Sequence, residues 1–237
     1  MDLLRVGLAL PDPPFNGMTD GGGLDIDLIH ALAAKLGTDV RLQPYQGADF
    51  NGIFDRLTTG EYDCVIAGTT VTPERERVAA FAPPYLVSGQ GLAVDTRRHP
   101  RVRSIDDLAG LTIGVQRGNT SQPIAEGLVA EGKAKAVRIY DYGGIRAALS
   151  DLANGGCDAL VKLAPVLTEL VKDVADVEVV QRGISREEIA IAVGLHDGAL
   201  GQRIAAAQAD LEADGTLQQL RRKWLGNPYR DQGLSRL

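Results

Sequence analysis

Residues 63–78, DCVIAGTTVTPERERV, combine residue types that together can bind a small anion. An apolar run leads to Gly68, Thr69 and Thr70 follow it, and Arg75 lies five residues beyond Thr70. Glycine lets a ligand approach the backbone, and the threonines supply hydroxyl and amide donors. Arginine matches a carboxylate with two parallel hydrogen bonds. The pattern therefore predicts a small-anion site, and a carboxylate is the anion that fits it best.

The approach to this turn occurs twice in the chain. Residues 57–63 and 152–158 share the spacing L-x-x-G-x-x-D, and an apolar run follows each copy. Glycine after a helix and aspartate before a strand are common by themselves. Their recurrence with the same spacing predicts a helix–turn–strand unit in each of two related lobes.

Composition narrows the function classes. The chain has 237 residues, 44 % of them apolar, which is enough for one large core or two modest ones. Its formal charge of −6 argues against a nucleic-acid partner. The basic stretch at 97–103 is short and interrupted by a proline, and we expect a solvated loop there.

The ends of the chain and its cysteines bear on location. No apolar run approaches the roughly 20 residues of a membrane span, and the first residues are too short for a complete secretory signal. Export remains compatible with the sequence, because the chain can represent a mature domain.

Cys64 and Cys157 occupy matching places in the two repeats. We expect them to be small core residues of different lobes, without a disulfide between them.

No cofactor or metal is predicted. His30, His99 and His196 are scattered along the sequence, and no Cys/His spacing indicates zinc. The glycine run at 21–23 is not followed by the lysine of a phosphate loop.

Strand and helix patterns alternate along the chain, which predicts an α/β protein with parallel sheets and helices on both faces. The β-rich stretches 89–95 and 187–193 are predicted to be paired strands at which the chain passes between lobes. Lobe 1 would then comprise 1–90 plus 190–237, and lobe 2 would comprise 91–189. Predicted strands are 4–10, 40–44, 64–67, 112–116, 136–140 and 159–161. Predicted helices are 25–36, 53–59, 73–78, 104–108, 121–131, 144–154, 165–172, 199–214 and 216–224.

Six phrases resemble the bacterial extracytoplasmic solute-binding proteins that serve polar amino-acid importers. They are LRVGLALPDPPFN, GLDIDLIHALAAKLG, GIFDRLTTGEYDCVIAGTTVTPERE, FAPPYLVSGQGLAV, SIDDLAGLTIGVQRGNTS and ADGTLQQLRRKWLG. Their order and spacing agree with that family over residues 3 to 226. The resemblance implies the type 2 periplasmic-binding fold, with two Rossmann-like lobes joined by two hinge strands.

The resemblance also implies roles for the residues of the anion pattern. Arg75 would pair with the ligand carboxylate, and Thr70 and Thr120 would add donors to the same group. Gly68 would offer its carbonyl oxygen to a ligand ammonium, with Thr69 as a further contact. Backbone amides that open the helix after Thr120 would face the anion with a helix N-terminus. The carboxylate would then be held from both lobes, and ligand would favour the closed form.

The resemblance also draws attention to four further positions, and two roles are open for each of them. Phe15 and Phe50 either line the ligand site or belong to the core. Asn119 and Ser121 either contact the ligand or shape the second-lobe turn.

Departures from the family pattern affect the ligand more than the fold. The family usually places an ammonium-binding aspartate where Leu163 stands here, so that site is incomplete. Asp12 is either a replacement cation acceptor or an aspartate that caps its own turn. Lys162 is either a second anion contact or a solvated side chain. The ligand is therefore not necessarily an ordinary α-amino acid.

The expected function is extracytoplasmic capture of a small carboxylate-bearing solute, most simply an amino acid or a similar compound, for an ABC importer. We expect a monomer in the periplasm or at the cell surface, with a membrane permease or a fused receptor module as partner. Two alternatives remain: the sensing domain of a membrane receptor, and an enzyme resembling cyclohexadienyl dehydratase. Glu169 is the candidate general acid for the enzyme.

Overall fold

A computed structural model describes residues 3–229 and residue 232. The described strands are β1 (Leu3–Ala9), β2 (Asp39–Tyr45), β3 (Cys64–Val65), β4 (Ala79–Phe81), β5 (Leu86–Ser88), β6 (Gln90–Asp95), β7 (Thr112–Gln116), β8 (Ala136–Tyr140), β9 (Ala159–Leu163), β10 (Val177–Arg182), β11 (Glu187–Ile189) and β12 (Ala192–Gly194). The described α-helices are α1 (Leu24–Leu36), α2 (Gly52–Thr58), α3 (Pro73–Glu76), α4 (Ser121–Ala130), α5 (Ile145–Asn154), α6 (Ala164–Val171), α7 (Gly198–Ala213) and α8 (Thr216–Leu225). Short 3-10 helices are formed by Ile105–Asp107, Tyr142–Gly144 and Asn227–Tyr229.

The chain divides into two compact units. Unit 1 contains the described residues of Met1–Gln46, Asn51–Val87 and Glu187–Leu237. Unit 2 contains Gly47–Phe50 and Ser88–Arg186. The predicted polar end of the chain, 227–237, lies largely outside the described residues.

Each unit has its own sheet, and the two sheets have the same arrangement. In unit 1 the strand order is β2-β1-β3-β12-β4, with β1 parallel to β2 and β3. In unit 2 the corresponding order is β8-β7-β9-β6-β10, with β7 parallel to β8 and β9. The fourth strand of each sheet, β12 or β6, runs antiparallel to its neighbours. Parallel strands joined through helices in two sheets confirm the predicted α/β class.

The repeated aspartates have the same structural task in their respective units. The backbone N–H of Arg5, in β1, donates to Asp63 Oδ2 at 2.7 Å. The backbone N–H of Thr112, at the start of β7, donates to Asp158 Oδ2 at 2.8 Å. Each aspartate immediately precedes a parallel strand, and its carboxylate accepts a hydrogen bond from a backbone N–H of the adjacent strand. This shared role explains why the spacing recurs.

The predicted crossing strands are wrong in part. The pair is formed by β5 and β11, and the chain leaves unit 1 within β5 and returns immediately before β11. The predicted stretch 89–95 is instead β6, a strand of the unit 2 sheet that is buried at every position between β9 and β10. A continuous apolar run favours a doubly covered strand, which is the environment that β6 has.

Several other elements differ from the prediction. Helix α3 begins at Pro73, as predicted, with Thr72 as its N-cap, but it ends at Glu76 and not at Val78. The predicted helix at 104–108 is a short 3-10 turn. Strands β4 and β10 were not predicted, because each is short or half-polar and is specified by its partner strand.

Unit 2 shows how its sheet is covered on both faces. Leu92 and Val94 of β6 belong to one core cluster, whereas Ala93, between them, belongs to the other. Successive side chains of a strand point to opposite faces, so the two clusters are the two sides of the sheet. Cys157 lies in the second cluster, and Cys64 is fully buried in unit 1. Both cysteines are free, as expected.

No helix within the described residues is long and apolar enough to cross a membrane. The same part of the chain shows no group of three or more His, Cys, Asp or Glu side chains arranged to hold a metal ion.

Gly37 gives a stability prediction for unit 1. It ends α1 in the left-handed region at φ 66°, and a Cβ added there would meet no atom within 4 Å. Gly37→Ala is therefore expected to lower the free energy of unfolding by about 1 kcal/mol through backbone strain alone. Urea unfolding followed by fluorescence of the single tryptophan, Trp224, measures this.

The matched control is Gly198→Ala, at the first residue of α7, where an added Cβ also meets open space. There alanine is expected to be neutral or slightly stabilising, since its helix propensity is higher. Equal stabilities of the Gly37→Ala and wild-type proteins would contradict the assigned role of the left-handed residue.

Candidate functional site

The Gly-Thr-Thr turn of unit 1 is held from three sides. Gly68 adopts φ 56°, and its N–H donates to Asp25 Oδ2 at 2.8 Å. The ring of Phe15 lies 3.5 Å from the place where a Gly68 Cβ would stand, so the pair is in close packing. Thr69 accepts a hydrogen bond from Ala190 N at 2.9 Å through its carbonyl oxygen. The turn is thus a fixed surface of buried groups.

The two threonine hydroxyls of this turn differ. Thr70 Oγ1 donates to Glu187 Oε2 at 2.6 Å, and both residues are buried. Thr69 is fully buried, and no described atom forms a hydrogen bond with its Oγ1. A buried hydroxyl without a partner costs free energy, and such a group is a candidate ligand contact.

Arg75 has a defined orientation in unit 1. Its side chain is only 6 % exposed, and Nη1 donates to the Thr70 carbonyl oxygen at 2.8 Å. Nε donates to Asn51 Oδ1 at 3.2 Å, and Cζ lies 5.6 Å from the centroid of the Phe54 ring. These contacts fix the plane of the guanidinium, and fixing that plane prepares it for a bidentate partner. The sequence also allows Arg75 to form a helix-surface ion pair with Glu74 or Glu76, and that role does not fit this burial.

Asp12 and Phe15 occupy one turn of unit 1. The carbonyl oxygen of Asp12 accepts from Phe15 N at 2.9 Å, and Asn16 Oδ1 caps the turn by accepting from Asp12 N at 2.9 Å. The Asp12 side chain is buried, and Phe15 is fully buried. The Phe15 ring packs under Gly68.

Asp25 supports the Gly68 turn from α1. Its carboxylate accepts from Tyr85 Oη at 2.6 Å in addition to the Gly68 N–H. Burial, which disfavours the charged form, raises the pKa of Asp25 to about 7, against the opposing effect of the hydrogen bonds from Tyr85 and Gly68. Burial also raises the pKa of the Tyr85 hydroxyl well above its ordinary value.

Unit 2 places the predicted 119–121 segment after β7. Gly118 at φ 76° makes the turn, and an added Cβ there would lie 2.0 Å from Asp49 Oδ1, so only glycine fits. Asn119 lies within this turn, with its N–H donating to Gln116 O at 3.2 Å. Thr120 Oγ1 accepts from Gln90 Nε2 at 3.0 Å. The turn then opens α4, as predicted.

Ser121 is the first residue of α4 and is fully buried. No described atom forms a hydrogen bond with its Oγ. The first N–H groups of a helix have no partner within the helix, so this end of α4 combines backbone donors with a buried hydroxyl.

Phe50, Tyr142 and Lys162 form a contact series in unit 2. The centroids of the Phe50 and Tyr142 rings are 5.3 Å apart, and Lys162 Nζ lies 5.9 Å from the Tyr142 centroid. Lys162 is only 3 % exposed and donates to Gln116 Oε1 at 2.6 Å. The expectation of a solvated lysine is therefore wrong, because the side chain lies along the buried end of β9. Leu163, the next residue, is also buried and puts no carboxylate there.

The structure thus gathers the predicted residues into two sets, one in each unit. Five residues that the sequence reasoning missed complete these sets. They are Asn51 and Glu187 in unit 1, and Gln90, Gln116 and Tyr142 in unit 2. Gln90 and Gln116 could have been recognised from the sequence. Each is a polar residue at one end of an apolar strand, and both lie at the edge of the sheet where the carboxyl ends of the parallel strands meet.

Comparison with known proteins identifies the family. The model of the bacterial extracellular solute-binding proteins, family 3, matches residues 4–227. The chain belongs to this family. Its role is solute binding, which confirms the resemblance seen in the sequence.

Relatives of this solute-binding protein agree with its fold. The L-cystine-binding protein TcyJ of Escherichia coli (strain K12) is 30 % identical over 227 residues, covering 94 % of this chain and 82 % of the relative. An ancestral arginine-binding protein bound to arginine has a TM-score of 0.86 at 34 % identity, with 94 % and 98 % of the two chains covered. The ancestral amino acid-binding protein AncCDT-1, described as a precursor of cyclohexadienyl dehydratase, has a TM-score of 0.82 at 30 % identity, with 94 % of each chain covered.

Proposed function

We propose that this solute-binding protein captures a small solute with a carboxylate, an amino acid or a similar compound, outside the cytoplasm and delivers it to the permease of an ABC importer. The observation that carries the proposal is the buried Arg75 guanidinium, whose plane is fixed beside the Thr69–Thr70 turn. A fixed guanidinium is suited to bidentate carboxylate binding. The names of the cystine-binding and arginine-binding relatives support an amino-acid-like solute.

The remaining predicted residues are proposed as contacts of the same solute. In unit 1 these are Asp12, Phe15, Gly68, Thr69 and Thr70, and in unit 2 they are Phe50, Asn119, Thr120, Ser121, Lys162 and Leu163. The proposal that both units act on one solute rests on membership of the family. The unpartnered buried hydroxyls of Thr69 and Ser121 support a ligand contact in each unit.

We propose binding without a reaction on the solute. The dehydratase alternative needs a general acid with a raised pKa, which burial would have to provide. Its candidate, Glu169, is 23 % exposed and forms an ion pair with Lys172 one turn along α6. That arrangement is the one expected of a surface residue.

A thermal-shift panel tests the function. It contains the cationic, acidic, neutral polar and disulfide-bridged amino acids, small mono- and dicarboxylates, and the carboxamide counterpart of each acid. A carboxylate solute at about 100 times its Kd should stabilise the protein by about 2.7 kcal/mol, which corresponds to a rise in Tm of several degrees. The matching carboxamide should give no shift. Shifts produced only by compounds without a carboxylate would refute the proposal.

A further inference from the structure

Asp25 is a buried carboxyl group beside the turn that leads to Arg75. It is fully buried in the first turn of α1, and its Oδ2 accepts from the Gly68 N–H at 2.8 Å. Two residues further along, the Thr70 carbonyl oxygen accepts from Arg75 Nη1 at 2.8 Å. Asp25 therefore holds one end of the short segment whose other end orients the guanidinium. All four residues belong to unit 1.

The hydrogen bonds of Asp25 match its ionised form. Its second oxygen, Oδ1, accepts from Tyr85 Oη at 2.6 Å, so each carboxylate oxygen receives one donor. An ionised carboxylate only accepts, whereas the acid form carries a proton on one oxygen. A proton on Oδ2 would face the Gly68 N–H, and a proton on Oδ1 would require the Tyr85 hydroxyl to accept where it now donates. Protonation thus breaks or reverses one of the two contacts.

The surroundings of Asp25 favour the opposite form. Asp25 forms no ion pair within the described residues, and the nearby carboxylate of Asp12 disfavours a second negative charge. Burial is the largest effect and raises the pKa of Asp25 to about 7, although the hydrogen bonds from Tyr85 and Gly68 act in the other direction. Both forms of a group in direct contact with the turn are therefore populated near neutral pH.

Neighbouring elements bring further titratable and charged groups to this region. Tyr85, the residue before β5, is fully buried, and burial raises the pKa of its hydroxyl well above the ordinary value. From α8, Arg221 donates to the Tyr85 carbonyl oxygen at 2.9 Å and pairs with Glu212 of α7 at 2.7 Å. Tyr85 thus remains a neutral donor over the range in which Asp25 titrates.

We propose that Asp25 is a positioning residue of the solute site, and that the protein binds its solute more tightly when Asp25 is ionised. A hydrogen bond to a charged acceptor is stronger than one to a neutral acceptor, so the ionised form fixes Gly68 more firmly. Through the Thr70 carbonyl oxygen, this also fixes an acceptor of Arg75. The inference rests on the proposed function, in which Arg75 takes the solute carboxylate. Mildly acidic conditions then promote release of the solute.

Titration calorimetry from about pH 6 to about pH 8, where solute carboxylates are ionised throughout, tests this in the unmodified protein. The probe is the carboxylate with the largest shift in the thermal-shift panel, whose amino-acid members include L-arginine, L-glutamate, L-glutamine and L-cystine. Its Kd is expected to be about fivefold lower at the upper pH, if the acid form of Asp25 binds about 10-fold more weakly. Binding near pH 6.5 should then release about half a proton, which makes the heat of binding depend on the buffer.

Variants then assign the pH dependence to Asp25. Asp25→Asn cannot ionise, so its Kd should vary by less than about twofold over the same range, without release of a proton. Tyr85→Phe removes a donor to the ionised form and should move the midpoint of the profile upward by about one pH unit or more. It keeps the test valid should the asparagine variant not fold. The control His30→Gln removes an exposed histidine of the same helix and should keep the wild-type profile.

Failure of this inference and failure of the proposed function give different results. A wild-type Kd that stays constant or rises with pH would refute the positioning role and leave the proposed function standing. The same conclusion would follow if Asp25→Asn kept the wild-type profile. Absence of binding by every carboxylate in the panel would refute the proposed function and the positioning role together.

Discussion

Arg75→Ala is expected to weaken solute binding by a factor between about 30 and several thousand, and so to cut the stabilisation in a panel set to 100 times the wild-type Kd from about 2.7 kcal/mol to about 0.9 kcal/mol or less. Truncating one partner of a buried, hydrogen-bonded charge pair typically costs 2–5 kcal/mol of binding free energy, much of it from the charge that is left unpaired. When the Kd rises about 1000-fold, the solute is present at about one tenth of the new Kd and contributes almost no stabilisation. The measurement is the difference in Tm with and without the best solute of the panel.

The geometry around Arg75 explains why arginine is needed there. Nη1 and Nε are held by the Thr70 carbonyl oxygen and by Asn51 Oδ1, and the ring of Phe54 lies near the guanidinium carbon. A lysine can supply the charge but not the planar fork. Arg75→Lys is therefore expected to bind more weakly than wild type and more tightly than Arg75→Ala.

Arg77→Ala is the matched control for this prediction. Arg77 follows α3, two residues beyond Arg75, and is exposed. Its loss should leave the thermal shift unchanged, whereas Arg75→Ala should reduce the shift by two thirds or more. Both variants are first compared with wild type without solute, since Arg75 also supports the turn. A folded Arg75→Ala protein with the full shift would show that the solute carboxylate binds elsewhere.

Much of the fold follows from local sequence signals. Gly37 ends α1 in the left-handed conformation, and the Thr72-Pro73 pair begins α3 with a cap and a proline in its first turn. The alternation of strands and helices gave the correct α/β class. The repeated aspartates located two equivalent strands, because each satisfies a donor within its own sheet.

The missed elements depend on partners distant in sequence. The apolar run at 89–95 is compatible with either a crossing strand or a buried sheet strand, and its position between β9 and β10 decides the matter. Lysine near a strand end is commonly solvated. The buried Lys162 donates to the Gln116 amide, which lies 46 residues away in the sequence. Local patterns contain no such information.

The structure brings predicted site residues into contact most directly where one segment supplies them. Thr70 and Arg75 lie on one segment, and the structure joins them directly through the Thr70 carbonyl oxygen. Glu187 escaped notice because it reaches Thr70 from 117 residues along the chain. The role of Asp25 was hidden for the same reason, since Gly68 and Tyr85 become its partners only in the folded unit.

Asp25→Asn is expected to gain stability relative to wild type as the pH rises from about 4 to about 7. Burial raises the pKa of Asp25 from its ordinary value of 3.8 to about 7, so the folded state holds a proton that the unfolded state releases in this range. Wild type therefore loses free energy of unfolding as the pH rises through this window, and the loss is complete above pH 7. A rise of about 3 in the pKa corresponds to on the order of 4 kcal/mol.

Asparagine imitates the protonated carboxyl group, because it keeps one acceptor and gains donors without a charge. Near pH 4.5 the two proteins should differ only by the local change in hydrogen bonds to Gly68 and Tyr85. Near pH 8 the variant should be more stable by several kcal/mol relative to that baseline. Urea unfolding from pH 4.5 to 8.5, followed by Trp224 fluorescence, reports on unit 1, which contains both residues.

Asp39→Asn, at an exposed carboxylate of the same unit, is the control for loss of one negative charge.

Other carboxylates of the fold change the free energy of unfolding with pH in the opposite direction. Hydrogen bonds and ion pairing with Arg5 outweigh burial and lower the pKa of Asp63, and the ion pair with Lys35 lowers that of Asp214 to about 2, so their contributions are lost as the pH falls. Comparing each variant with wild type at every pH cancels these shared terms. A constant difference between Asp25→Asn and wild type across the whole range would mean that ionising Asp25 carries no cost, and that the Gly68 turn rests on a charged carboxylate at every pH.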